Sequence, residues 1–207
     1  TQEVMIHRGT EDRSYIMRLQ EIRDFFDNIS GYFLIMNDIT YQRAYEQSIL
    51  NAANTDMLTG IRNRNAMNAA VDKFVSGAIS PEKSIGIVFA DLNGLKQVND
   101  QKGHSAGDLL LKKAAITLQE IFPAENIYRA GGDEFVMILT DIERGTFDDL
   151  VDKLKGTSKE PGEVCFAVGS CFDDGDFDIR KDMRIADQRM YTDKENFYKL
   201  HPERKYR

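Results

Sequence analysis

The chain has 207 residues, 42% of them apolar, enough to bury a core in one full domain plus a fragment or in two small domains. Charged residues make up 29% but carry both signs, so the composition is not that of a disordered chain. The formal net charge of -7 argues against nucleic acid or an anionic membrane as partner, because phosphate-rich surfaces are met by basic faces. A small nucleotide accompanied by a divalent cation stays compatible, since the metal brings its own positive charge.

Cys165 and Cys171 lie six residues apart in what reads as one strand. Six strand residues span roughly 20 Å, too far for a disulfide within that strand. Two free thiols and a reducing compartment are therefore expected. No stretch approaches the roughly 20 apolar residues of a membrane span, and no secretory leader is visible. A cytoplasmic location follows as the expectation. The chain starts without Met and in mid-element, so it is expected to be an excised piece of a longer protein, whose parent can still carry a membrane anchor.

In chain order, residues 1–13 are polar and show no periodic signal. Residues 14–26 and 31–39 read as two strands joined by a turn at 27–31. Such a hairpin is marginal alone, and is expected to be the remnant of an upstream domain. From 40 to 55 the pattern is helical, with Tyr45, Ile49 and Ala52 forming a short coiled-coil-like seam. The text changes at Asp56. A helix is expected at 63–77, then a continuously apolar strand at 84–92, of the kind buried on both faces. Helices at 94–101 and 106–121 follow. Strands at 126–130 and 134–139 are joined through Gly131-Gly132, where a primed hairpin turn with positive φ is expected. A helix at 145–155, a strand at 163–171 and a helix at 179–197 complete the order β-α-α-β-β-α-β, with helices flanking a mainly antiparallel sheet.

Three acids stand out by position. Asp91 ends the most apolar strand, and Asp133 and Glu134 follow the Gly-Gly turn. An ionised carboxylate beside a buried strand is costly unless paired or bound to a cation. If the two strands are neighbours, all three carboxylates meet, and three hard oxygen donors suit Mg²⁺. Solvated turn acids are the plainer alternative, and periodicity does not decide between the two.

Four segments do point further. RAGGDEF (129–135), DMLTGIRNR (56–64), FADLNGLKQVNDQKGHSAGD (89–108) and ADQRMYTDK (186–194) occur in the order and spacing of the GGDEF family, and residues 54–199 resemble it. The resemblance implies a palm-like α/β (α+β) fold similar to nucleotidyl cyclases, and a diguanylate cyclase that condenses two GTP molecules into cyclic di-GMP with release of pyrophosphate. It implies Mg²⁺ or Mn²⁺ held by Asp91, the Leu92 carbonyl, Asp133 and Glu134, with Asp133 or Glu134 also activating the attacking 3′-hydroxyl. Asn99 and Asp108 are expected to read guanine, Lys96 and Lys194 to hold phosphate, and Leu95 with Gly131 and Gly132 to line the nucleotide. His104 is given a structural role. A homodimer is implied, since one domain binds one GTP and the product needs two; no membrane contact is expected within the chain.

The domain layout that follows is 1–39 as the end of a PAS-like sensor, suggested also by NDIT (37–40), then 40–55 as a signalling helix, 56–200 as the catalytic domain and 201–207 as a tail. The family's inhibitory Arg-x-x-Asp is replaced by Phe122 and Glu125, so no primary inhibitory site is expected. A phosphate-touching Arg is replaced by Tyr198, for which Arg204, Lys205 or Arg207 are candidate substitutes. The second reading is a non-catalytic module that binds GTP or cyclic di-GMP and regulates a partner.

Overall fold

The computed structural model describes residues 1–8, 11–157 and 163–202, and the chain divides into two compact units, Thr1–Ala52 and Ala53–Arg207. Arg204, Lys205 and Arg207 lie outside the described residues.

The first unit is a three-stranded antiparallel sheet, β1 (Gln2–Arg8), β2 (Glu11–Arg23) and β3 (Ile29–Asp38), followed by the start of helix α1 (Thr40–Asn54). β1 falls where the sequence shows no signal. Its ladder from Gln2↔Met17 to Arg8↔Glu11 is a hairpin pairing that a polar segment does not announce. The turn also sits earlier than expected. Asp24 Oδ1 accepts the backbone N–H groups of Phe26 and Asn28 at 2.8 and 2.9 Å. A short side chain that captures local amides ends a ladder, so β2 stops at Arg23 and the Phe25-Phe26 pair stands in the turn, exposed. α1 is tied to this sheet by Arg43, which pairs with Glu3, and by Thr40 Oγ1, which accepts the Ser14 N–H at 3.0 Å.

The second unit is a five-stranded mixed sheet flanked by helices, in the order β4-β6-β7-β5-β8. Its strands are β4 (Arg62–Asn63), β5 (Ile85–Leu92), β6 (Ile127–Arg129), β7 (Glu134–Thr140) and β8 (Phe166–Asp173). The pair β4–β6 is parallel; the other three pairings are antiparallel. The helices are α2 (Arg64–Val75), α3 (Leu95–Lys102), α4 (His104–Gln119), α5 (Arg144–Lys155) and α6 (Ile179–Leu200). The expected mainly antiparallel palm is what forms, with the two-residue β4 and a 3₁₀ turn at Ala124–Asn126 added.

Alternation along the strands explains why both faces are dry. Val88, Ala90 and Leu92 of β5, with Phe135 and Met137 of β7, pack with Leu110, Leu111, Ala114 and Leu118 of α4 and Phe147 and Val151 of α5. Ile85 and Ile87, with Val136 and Ile138, pack with Met67 of α2 and Ile179 and Ala186 of α6. α6 lies so close to β8 that a Cβ on Gly169 would stand 2.0 Å from the Met190 nitrogen and 2.1 Å from the Ala186 oxygen. Both cysteines are free and buried; Cys165 lies just before β8 rather than in it. Among the described residues no helix is long and apolar enough to cross a membrane.

Candidate functional site

β5 is the middle of the three long strands, and register decides what its end carries. Asp91 pairs across to Glu134 on β7 and to Ala167 on β8. The next amide, Leu92 N–H, donates to the Asp133 carbonyl at 2.9 Å, and Asn93 N–H donates to the Cys165 carbonyl at 2.8 Å. Sequence order thus brings Asp91, Asp133 and Glu134 to one edge of the sheet.

Asp91 is 2% exposed. Its Oδ2 accepts a charge-assisted bond from Lys194 Nζ at 2.7 Å, while Oδ1 has no hydrogen-bond partner. Burial pushes the Asp91 carboxyl up to about 6; the Lys194 ammonium opposes this, and the charges of Asp133 and Glu134 reinforce it. For Lys194, burial pulls downward, but the hydrogen bond and charge of Asp91 outweigh it and the ammonium is held above its ordinary value. Lys194 thus answers one oxygen of Asp91, and the other is buried with no partner among the described residues.

The three carboxylates share an edge but are not drawn together. Among the described residues no three His, Cys, Asp or Glu side chains are gathered at spacing that holds a metal ion. The reason is visible in the partners. Lys194 occupies one oxygen of Asp91, and the Glu134 carboxylate lies back over the turn, its Oε2 2.9 Å from where a Gly131 Cβ would be. The unanswered Asp91 oxygen and the hard-oxygen character of the set still fit a divalent cation.

The turn itself differs from a primed hairpin. Neither Gly131 nor Gly132 has a positive φ. The connection is closed instead by Ala130 N–H, which donates to the Glu134 carbonyl at 2.9 Å, and by Arg129, whose Nη2 and Nε donate to the Gly132 carbonyl at 2.7 and 3.2 Å. Arg129 Nη1 also donates to Asp56 Oδ1 at 2.9 Å, and that oxygen accepts from the Thr59 N–H and hydroxyl as well. Burial pushes Asp56 upward, but these bonds and the Arg129 charge hold its carboxyl below the usual carboxylate range. A wide turn at 56–61 is thereby fixed to the turn at 130–133. Sequence reasoning assigned no role to Arg129 or Asp56, although both stand inside the quoted motifs as charged residues without a stated task.

The remaining expected residues fall on α3, α4 and α6. α3 starts after Gly94, whose φ is 80°, and no side chain caps it. The Gly94 N–H donates to the Tyr198 hydroxyl at 3.4 Å, so a phenol stands where the phosphate-touching Arg was expected. Leu95 is half-buried against the core, and Lys96 is exposed. Asn99 is half-buried on α3, while Asp108 and His104 are exposed on α4. A cleft of about 620 Å³ joins Asp91, Glu134 and Lys194 to Asp187, Gln188, Tyr191 and Thr192 of α6. Those α6 side chains were not expected. Phe122 is 2% exposed within the core and Glu125 is exposed in the 3₁₀ turn.

Strand order, flanking helices and the Gly-Gly-Asp-Glu-Phe turn are together those of a GGDEF domain. Residues 53–198 match the family model of the diguanylate cyclase GGDEF domain, and the chain belongs to that family. It is 33% identical over 186 residues to the signalling protein YkoW of Bacillus subtilis, covering 84% of this chain and 23% of that protein. It is 29% identical over 174 residues to the cyclic di-GMP phosphodiesterase PdeR of Escherichia coli, covering 79% and 26%. The chain thus spans about a quarter of the length of these two relatives. Relatives also include the diguanylate cyclase DosC of Shigella sonnei, at 23% identity over 90% of this chain and 41% of that one. Among solved structures, a microbial GGDEF domain described in its interaction with cyclic di-GMP is 28% identical, with a TM-score of 0.59 over 70% of this chain and 94% of that one. The coiled coil and GGDEF domain of DgcB from Caulobacter crescentus shares the fold, at 22% identity and a TM-score of 0.58 over 76% and 89%.

Proposed function

We propose that this chain is a metal-dependent diguanylate cyclase that joins two GTP molecules head to tail. The observation that carries the reading is Asp91, a buried carboxylate at the strand end with one unanswered oxygen, opposite Glu134 and bonded to Lys194. Asp91, the Leu92 carbonyl, Asp133 and Glu134 would hold Mg²⁺ or Mn²⁺. Bound there, the ion would carry the charge of the triphosphate. Lys194 and Lys96 supply further positive charge to the phosphates, while the amides at the start of α3 suit a phosphate oxygen. Asp108 accepts from the N1 and N2 donors of guanine, and Asn99 offers a donor to its acceptor edge. Each 3′-oxygen forms a bond to the α-phosphorus of the other nucleotide as the bond to the β-phosphate oxygen breaks and pyrophosphate leaves. The hydroxyl proton passes to Asp133 or Glu134.

Two nucleotides require two domains. Tyr45, Ile49 and Ala52 lie exposed on α1, where a second copy can meet them. The sheet of residues 1–38 belongs, in this reading, to a PAS-like sensor that sets the register of α1 in a cytoplasmic signalling protein. A second reading, a module that binds GTP or cyclic di-GMP without catalysis, is favoured by one observation: Lys194 sits on Asp91 and the three acids are not gathered.

Incubation with GTP and Mg²⁺, followed by chromatographic separation of products, tests the choice. Cyclic di-GMP from the wild-type chain, lost in Asp133→Asn and rising in specific yield with protein concentration, is the expected result. GTP binding without any product would leave the non-catalytic reading standing.

A further inference from the structure

We propose that Asp193 is a positioning residue: by gripping the free edge of β8, it fixes the place at which the neighbouring Lys194 meets Asp91. The functional consequence rests on the reading of the chain as a nucleotide-binding domain, whereas the grip itself is a matter of the fold.

β8 ends its sheet, with β5 on one side and, among the described residues, no strand on the other. An edge strand presents unpaired N–H and C=O groups, and in an antiparallel strand those groups fall on alternate residues. α6 answers two of them. Val168 N–H donates to Asp193 Oδ2 at 2.9 Å, and the Ser170 carbonyl accepts from Arg189 Nη1 at 2.6 Å. Arg189 and Asp193 stand one helical turn apart, so they share one face of α6. A carboxylate only accepts and a guanidinium only donates, so each meets the backbone group it can satisfy. Between the two, Gly169 lets the helix backbone approach at Ala186 and Met190.

The place of this grip along α6 gives it a task. The buried residues of α6 are Ile179, Asp182, Ala186 and Met190, so full burial ends at Met190 while the helix runs on to Leu200. Lys194 lies in that outer stretch, yet its Nζ reaches Asp91 Oδ2 on β5 at 2.7 Å. Asp193 is half-buried directly before Lys194, and Val168 pairs with Ala90, directly before Asp91. One hydrogen bond thus ties helix to sheet a single residue away from each member of the ion pair. The next tie, from the Gly94 N–H to the Tyr198 hydroxyl, is longer at 3.4 Å.

Charge alone predicts the opposite effect. Asp193 adds a negative charge beside Lys194, so a purely electrostatic role would have its removal strengthen the hold of Lys194 on an anionic phosphate. As a positioning residue, its removal weakens that hold. Asp193→Asn preserves it, because a carboxamide oxygen still accepts the Val168 N–H.

Two readouts test this. The first needs no nucleotide: acetylation of Lys194 by acetic anhydride, followed by peptide mass spectrometry. The second is equilibrium binding of the α,β-methylene analogue of GTP with Mg²⁺. The chains compared are wild type, Asp193→Ala, Asp193→Asn, Lys194→Ala and the double variant Asp193→Ala/Lys194→Ala. Asp193→Ala is expected to raise the acetylation rate about 3–10-fold and to weaken the analogue by a similar factor, with Asp193→Asn within about twofold of wild type in both. In the Lys194→Ala background, Asp193→Ala should cost the analogue nothing further. Unchanged acetylation or tighter analogue binding in Asp193→Ala would overturn the proposal. So would an Asp193→Asn chain that behaves like Asp193→Ala, or losses that multiply in the double variant. Amide exchange at Val168 keeps the test open should Asp193→Ala fail to fold: the amide should be protected in wild type and in Asp193→Asn, and exchange at the solvent rate would overturn the grip. A chain whose acetylation responds as expected but which binds no analogue removes the nucleotide reading and leaves the role of Asp193 standing.

Discussion

Phe33 and Phe135 both sit on β-strands of this chain, yet Phe33 is 43% exposed and Phe135 is fully buried. The contrast extends to the two sheets as wholes. In the sheet of residues 1–38 no described residue is buried, and Leu19, Ile22, Tyr32, Leu34 and Met36 are all exposed. In the sheet of residues 62–173, β5 runs Ile85, Gly86, Ile87 and Val88 at or near zero exposure between two helical layers. Strand pairing alone made both. Only the second is sealed by helices on both faces, and burial of apolar area is what turns a ladder into a stable domain.

The largest expected effect separates the two sheets directly. Phe135→Ala should cost about 3–5 kcal/mol in denaturant unfolding, whereas Phe33→Ala should cost less than about 0.5 kcal/mol. Equal losses would mean that the first sheet has a cover of its own. Gly169→Ala comes next, at about 1–3 kcal/mol, because its methyl group meets the backbone of α6 rather than a movable side chain. It should also lower nucleotide binding through Lys194, which α6 carries; unchanged stability would refute the close approach.

The site offers a smaller effect of opposite sign. Burial raises the folded pKa of Asp91 to about 6 from an ordinary 3.8, so the ionised carboxylate destabilises the fold at pH 8. That penalty disappears as pH falls from above 6 toward 4, where the native state takes up the proton before the unfolded chain does. Asp91→Asn should therefore be more stable than wild type at pH 8, by at most about 3 kcal/mol. The advantage should shrink below pH 6 in paired melting curves. A variant less stable at every pH would show that the Lys194 pair outweighs burial. Smallest in stability is Arg129→Lys, at about 1 kcal/mol, since an ammonium cannot span Asp56 and the Gly132 carbonyl as the guanidinium does. Its product yield from GTP should fall further than its stability, because the Asp133-Glu134 turn loses its anchor. Wild-type yield would contradict that.

Much of this domain could be read from a single sequence, for reasons that are local. The apolar run of β5 and the apolar spacings of α4 and α6 report burial residue by residue, and the four motif strings identified the family before any coordinate. What could not be read came from specific hydrogen bonds, which apolar spacing does not report. β1 exists because β2 pairs with it, and Asp24 moved a turn by capturing two amides. Gly131-Gly132 kept ordinary φ values because Arg129 holds the Gly132 carbonyl. In each case the deciding interaction is a hydrogen bond, to which a count of apolar spacing is blind.

By itself, the sequence determined the family, the order of elements in residues 53–198 and the acids that end β5 and begin β7, because these depend on residue type and spacing. Only the tertiary structure decided what each acid faces. Asp91 is answered by Lys194 from 103 residues away, leaving one oxygen bare, and Glu134 lies over Gly131 instead of beside it. The same is true of Asp193, whose carboxylate answers the Val168 amide on the free edge of β8. Distances between side chains on separate elements follow from packing, and packing is a property of the whole fold.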